Sequence, residues 1–245
     1  MQKELNFYIL QSLSLYMVLD KVVISLGGSR IIPGDVDYKF LVEFKKLILR
    51  NKKTKFVVVT GGGTTARKYI NASKSLNKSL KIQSQMGISV TRLHAYFMMY
   101  LFGKPANDRH PFTLKQVKDL LNKNKVVFCG ALRYTTQPQT TDATAAQIAS
   151  YLKCPFINLT NIDGIYDKNP KTNKDAKFIK EISWDDFYKM ANKIKFSAGQ
   201  NFVLDQKASK IILSRKIPTY IVGNLDDIKQ IINEKSDFKG SLIQG

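Results

Sequence analysis

The chain has 245 residues, 44% hydrophobic and 24% charged, which is enough apolar material for one mid-sized globular domain with a full core. Its 14 Gly and 7 Pro are too few for a disordered or collagenous chain, and two Cys without C-x-x-C spacing exclude a disulfide scaffold and a cysteine zinc site. The formal net charge is +20, but the lysines are spread along the whole chain beside many Asn and Ile, so a solvated surface is expected and no nucleic-acid partner.

Residues 5–19 are largely apolar but interrupted by Gln11, Ser12 and Ser14. A spanning helix needs roughly 20 apolar residues and a signal peptide needs a small-residue cleavage site. Residues 1–16 therefore read as an extension or a mis-called start before Met17, with no membrane partner and a cytoplasmic location expected. Val22-Val23-Ile24 opens a strand that runs into Gly27-Gly28-Ser29. Asp35 through Leu49 has helical spacing. Phe56-Val57-Val58-Val59 is a continuous apolar run of the kind buried on both faces of a parallel sheet, and it breaks at Gly61-Gly62-Gly63, with Thr64 starting the next helix. Helices follow at about 87–102 and, behind a Thr113 cap, at about 114–123. Val126-Val127-Phe128 is a third strand, followed by an irregular loop at 130–140. Thr141 is expected to cap a helix over 142–152, and Phe156-Ile157-Asn158-Leu159 is a fourth strand.

Beyond Asn161-Ile162-Asp163-Gly164 comes a polar excursion, 167–177. Ser183-Trp184-Asp185-Asp186 reads as a capping box. A helix over 202–215, a strand at Thr219-Tyr220-Ile221-Val222, a final helix and an edge strand complete the chain. Strands alternating with helices predict an α/β three-layer sandwich: an open, mostly parallel sheet with helices on both faces and ligands at the strand ends. Cys129 and Cys154 read as buried thiols, and His94 and His110, the only histidines, exclude a His-rich metal site.

Two segments share one construction, a buried strand followed by a glycine turn. Glycines let backbone N–H groups approach phosphate oxygens, and a helix N-terminus adds its positive end. Arg67 stands one turn beyond the triple glycine, where it suits a phosphate, although the same arginine would serve as a surface helix cation. Neither a P-loop nor a dinucleotide fingerprint is present. Asp142 alone reads equally as a carboxylate favouring its helix dipole, Asp163-Gly164 as a turn, and Lys210 as a solvated helix lysine.

The order Ser25-Leu26-Gly27-Gly28-Ser29, Thr60-Gly61-Gly62-Gly63-Thr64-Thr65-Ala66-Arg67-Lys68-Tyr69, Thr140-Thr141-Asp142-Ala143, Thr160-Asn161-Ile162-Asp163-Gly164-Ile165-Tyr166, and Asp205 to Lys210 resembles the amino acid kinase superfamily, within it the archaeal type of uridylate (UMP) kinase. The resemblance covers roughly residues 20–245. It implies one kinase domain over 17–245, with an acceptor lobe about 17–155 and an ATP lobe about 156–245. It implies transfer of the γ-phosphoryl group of ATP to UMP. Gly28, Ser29, Gly63 and Arg67 would bind the ATP phosphates, and Thr160, Asn161, Tyr166 and Asn169 would surround the adenine nucleotide. Gly62, Ser84, Thr135, Thr140 and Thr141 would hold UMP. Arg67, Asp142 and Lys210 would be catalytic, Asp142 orienting the cations and Lys210 neutralising the transferring group. Mg²⁺ would arrive with ATP, held by phosphates and water, so no protein metal site is expected. The family also implies dimers assembled into hexamers. Phe97, Met98, Met99 and Tyr100 would then be interface or core.

The chain departs from the family at several positions. Ser25 stands where many members have Lys, Ser84 where an Asp binds the UMP ribose, and His94 where an Asn is usual. Residues 132–139 replace a shorter glycine-containing loop, and Asn169-Pro170 replaces Asp-Pro. Most departures fall on the acceptor side. A kinase for another small phosphate or carboxylate acceptor is thus the second reading. A non-catalytic nucleotide- or anion-binding relative is the third, though such a protein would have no reason to keep both Asp142 and Lys210. A nucleotide phosphate is already ionised at neutral pH, so transfer to it needs positioning and charge stabilisation rather than a general base.

Overall fold

The β-branched runs have no polar face to offer solvent, and they form the centre of a sheet covered on both sides. A computed structural model of the chain describes residues 19–133, 140–170, 172–193, 203–233 and 235–245. The strands are β1 (Lys21–Leu26), β2 (Lys55–Thr60), β3 (Val126–Cys129), β4 (Phe156–Leu159), β5 (Ile165–Tyr166), β6 (Phe178–Ile179), β7 (Glu181–Ile182), β8 (Thr219–Val222) and β9 (Ser241–Ile243). The helices are α1 (Gly28–Ile31), α2 (Tyr38–Arg50), α3 (Gly63–Ser75), α4 (Leu80–Phe102), α5 (Leu114–Lys123), α6 (Thr141–Leu152), α7 (Trp184–Lys193), α8 (Gln206–Arg215) and α9 (Leu225–Ile232).

Among the described residues, seven strands form one sheet in the order β3-β2-β1-β4-β8-β9-β7. The first five run parallel, β9 runs antiparallel to β8, and β7 follows β9. The side-chain period of two splits each strand between two cores. Val23, Val57, Val127 and Phe156 face α5, α6 and α8, while Val22, Ile24, Phe56, Val58 and Ile157 face α2, α4 and α9. This is the three-layer α/β sandwich expected from the sequence. On the second face Phe128 meets Phe102 edge-on at 4.6 Å, and Phe102 meets Phe44 at 6.2 Å.

Several boundaries differ from those expected. The closing strand β9 is not at an edge: it lies between β8 and β7, and the two-residue β7 is the edge. Helix α4 starts at Leu80, behind a Ser79 cap, two turns before the expected start at Gly87. Its first turns are mostly polar and exposed and so carry no apolar stripe. Thr140, not Thr141, caps α6, its Oγ1 accepting from Ala143 N at 3.1 Å. Helix α8 begins at Gln206, since Asp205 caps it. The Thr113 cap on α5 forms as expected, with Gln116 N 3.1 Å from Thr113 Oγ1. The Ser183 half of the capping box on α7 forms too, Ser183 Oγ accepting from Asp186 N at 3.1 Å and donating to Asp186 Oδ2 at 2.9 Å.

From β1 the chain steps to β2 and β3 on one side, then returns to place β4 on the other. The strand order therefore reverses between β1 and β4. The carboxyl ends of β1, β2, β4 and β8 open toward one rim, and a crevice at such a reversal is where open α/β sheets bind ligands.

Candidate active site

The two glycine turns at this rim lie against each other, backbone on backbone. A Cβ on Gly28 would fall 2.4 Å from Gly63 N and 2.5 Å from Gly61 O, and one on Gly63 would fall 2.5 Å from Ser29 N. Gly63 also holds φ +57°, which favours glycine. Gly61 N donates to Leu26 O at 2.9 Å, so the turns after β1 and β2 are joined by a hydrogen bond as well as by contact. Gly28, Ser29, Gly62 and Gly63 thus sit together, with α3 starting at Gly63. Arg67 is exposed on α3 and its Nη2 lies 3.1 Å from Thr64 Oγ1.

His94 on α4 is buried, and its Nδ1 lies 2.7 Å from Gly61 O. A carbonyl only accepts, so Nδ1 carries the hydrogen. Burial lowers the ring's pKa, more than the Gly61 bond raises it. The sequence suggests a packed helix residue here, and the ring is one; it also supports the triple-glycine turn.

Asp142 sits in the first turn of α6. Ser25 Oγ at the end of β1 donates to its Oδ1 at 2.8 Å. The residue keeps some exposure, but its carboxyl group is enclosed. Desolvation, helped by nearby Asp205 and opposed by the Ser25 bond, pushes its pKa up to about 7. Thr140 Oγ1 donates to Asp205 Oδ2, while Asp205 Oδ1 accepts from Lys207 N at 2.8 Å and Ala208 N at 3.0 Å. The N-termini of α6 and α8 are therefore tied together. Lys210, one turn into α8, is exposed, and no described ion pair joins it to Asp142.

On the far side of the reversal, Thr160 and Asn161 follow β4, with Thr160 N donating to Val222 O at 2.9 Å. Tyr166 on β5 packs against Phe178 with ring centroids 5.4 Å apart. Asn169 heads a turn whose Asn173 N donates to its carbonyl at 3.0 Å. Ser84 is half-buried in the second turn of α4. Thr135 and most of the 132–139 loop lie outside the described residues, as do residues 1–16.

The sequence reading missed Arg30. Its Nε and Nη2 donate to Thr160 O at 3.2 and 2.7 Å, and Nη2 also donates to Gly223 O. Nothing in the local pattern marks it, because its partners lie 130 and 193 residues away. Cys129 and Cys154 are buried as expected, and burial pushes both thiols up to about 12, so neither is a nucleophile at neutral pH.

The rim thus gathers two glycine turns free of side chains, helix N-termini at α3, α6 and α8, an enclosed carboxyl group and exposed cations. Such an arrangement can take a phosphate chain along the glycines and stabilise charge that moves between two anions. The model of the amino acid kinase family matches residues 20–223. A uridylate kinase of Thermococcus kodakarensis is 32% identical, covering 91% of this chain and 99% of its own length. One of Methanopyrus kandleri is 36% identical over the same shares. The crystal structure of the uridylate kinase of Archaeoglobus fulgidus superposes with a TM-score of 0.79 at 31% identity, covering 91% of this chain and 99% of that one.

Proposed function

The chain belongs to the amino acid kinase family, and from that premise we propose that it is a UMP kinase, transferring the γ-phosphoryl group of ATP to UMP to give UDP and ADP. The observation that carries this reading is the backbone contact between the two glycine turns at the β1/β4 reversal. It gives one continuous surface of peptide groups along which donor and acceptor phosphates can lie in line.

In this reading the donor half spans about 156–245 and the acceptor half about 17–155. Gly28, Ser29, Gly63 and Arg67 take the ATP phosphates, with Thr160, Asn161, Tyr166 and Asn169 around the adenine nucleotide. Gly62, Ser84, Thr135, Thr140 and Thr141 serve UMP. Lys210 supplies positive charge to the transferring group, and Asp142 orients the cations around it. Mg²⁺ is a hard cation that takes oxygen ligands. The hydroxyls, carbonyls and carboxylates of this rim fit it, with phosphate oxygens and water as its main ligands. The enzyme works in the cytoplasm, and no helix among the described residues is long and apolar enough to cross a membrane. It assembles as dimers forming a hexamer. Met98 and Met99 belong to the core, whereas Leu93 and Tyr100 are 60% and 78% exposed on α4 and offer an apolar face to a second copy.

The test is ADP release by the purified protein with UMP, CMP, dUMP, isopentenyl phosphate or no acceptor. UMP is expected to be the best acceptor. Tight nucleotide binding without turnover on any acceptor would place the chain in the binding class. A carboxylate accepts hydrogen bonds from two ribose hydroxyls, whereas Ser84 offers one small hydroxyl, and a charged hydrogen bond contributes about 1.5–3 kcal/mol. Ser84→Asp is therefore expected to lower KM for UMP by about tenfold or more. If UMP use is unchanged while another acceptor is turned over well, UMP is not the substrate.

A further inference from the structure

The ladder between β4 and β8 ends with Thr160 N on Val222 O. Beyond it no described backbone hydrogen bond joins the two segments, and the Thr160 and Gly223 carbonyls need donors from elsewhere. Arg30 supplies them. Nε and Nη2 converge on Thr160 O, and Nη2 reaches Gly223 O. One guanidinium on α1 thereby ties the end of β1 to the ends of β4 and β8, where the sheet opens into the crevice. The guanidinium carbon stands 5.7 Å from the centre of the Phe40 ring, and Asp37 and Asp163 act on its charge. The side chain is half-buried, so desolvation must be offset by these fixed partners. The loop from Thr160 to Asp163 is held from the other side too: a Cβ on Gly223 would fall 2.7 Å from Asp163 Oδ1.

We propose that Arg30 is a positioning residue for the phosphoryl donor: the planar fork, rather than the charge, fixes the β4 and β8 ends at the separation that the nucleotide needs. This assignment rests on the kinase reading, because the Thr160–Asn161 segment is the donor side only if the chain binds ATP there. Lysine keeps the charge but carries it on a compact, rotatable ammonium at the end of a flexible stem, without the planar fork that fixes the directions of the guanidinium's donors. A site that must be ordered on binding loses affinity relative to one already ordered.

The experiment measures binding of a non-hydrolysable ATP analogue with Mg²⁺, and separately of UMP, by calorimetry on the full chain, on Arg30→Lys and on Arg30→Gln. Melting temperature is followed for each. In Arg30→Lys the analogue's Kd is expected to rise about tenfold while that for UMP stays within about twofold. Arg30→Gln, whose amide can still donate to one carbonyl, is expected to fall between wild type and Lys. Wild-type analogue binding in Arg30→Lys would make the charge sufficient and overturn the assignment. Equal weakening for both ligands, or failure of both variants to fold, would mark an arginine that serves only the fold and would overturn it as well. Wild-type turnover of UMP alongside an unaltered Kd in the variants would reject the assignment alone. A wild type that binds no ATP analogue removes the kinase reading and, with it, this role for Arg30.

Discussion

Asp142→Asn is expected to lower kcat by about 10²-fold and, at the same time, to raise the melting temperature of the protein at pH 8 in the absence of nucleotide. Both effects have one origin. The carboxyl group is enclosed beside Asp205, and its pKa stands at about 7 instead of 3.8. Between these values the folded chain holds a proton that the unfolded chain has lost, so stability falls as pH rises toward 7. Above that pH the fold carries a desolvated charge. Asparagine carries none, so its advantage should be largest at pH 8, shrink through pH 7 and vanish below pH 3.8. Calorimetric melts from pH 3.5 to 8.5 read this directly. An Asn variant less stable at pH 8 would show that the carboxylate supports the fold. Lys210→Ala should reduce kcat by ~10² with a much smaller effect on ATP affinity, as expected for a cation that acts mainly in the transition state. Among the described residues Ser25 hydrogen-bonds Asp142, and the proposed coupling of Asp142 to Lys210 is expected to show only in the transfer step. The double variant in single-turnover kinetics should be little worse than the worse single one, whereas full additivity would make the two groups independent.

Gly28→Ala should abolish ATP binding, measured as a rise of about 100-fold or more in Kd. The added methyl would meet only backbone, Gly63 N at 2.4 Å, Gly61 O at 2.5 Å and Gly62 C at 2.5 Å. None of these can turn aside as a side-chain tip would, so the two turns must part. Gly34→Ala is the control. A Cβ there meets nothing within 4 Å, and the variant should bind and melt like the wild type. Normal ATP binding by Gly28→Ala would show that close approach of the two turns is not what the site requires.

The strands were legible because apolar runs such as Phe56–Val59 have no other stable setting, and the caps at Thr113 and Ser183 follow from local chemistry alone. The glycine turns could be recognised as special, but not their contact, which joins residues 28 and 63 through the fold. Three things were hidden for physical reasons. The first turns of α4 lack an apolar face, so their helix shows only in the Ser79 cap. The interior position of β9 depends on pairing with the two-residue β7, which is too short to have a pattern of its own. Arg30 acts through backbone carbonyls, and any residue can present those. His94 lies between these cases: its helical spacing announces burial, but the Gly61 carbonyl it faces comes from the turn after β2.

The reversal of strand order between β1 and β4 also governs how the chain can assemble. Leu26 pairs with Leu159, whereas Leu26 and Thr60 pair across a far shorter stretch of chain. A folding chain can therefore build β1, β2 and β3 early and must close a long loop before β4 arrives. Until then β1 presents an unpaired edge whose residues Val22, Val23, Ile24 and Leu26 end fully buried in the finished molecule. An apolar, unpaired edge is a template for another copy of the same segment. The strand that later borders the nucleotide crevice is thus the segment most open to misassembly while the sheet is half built.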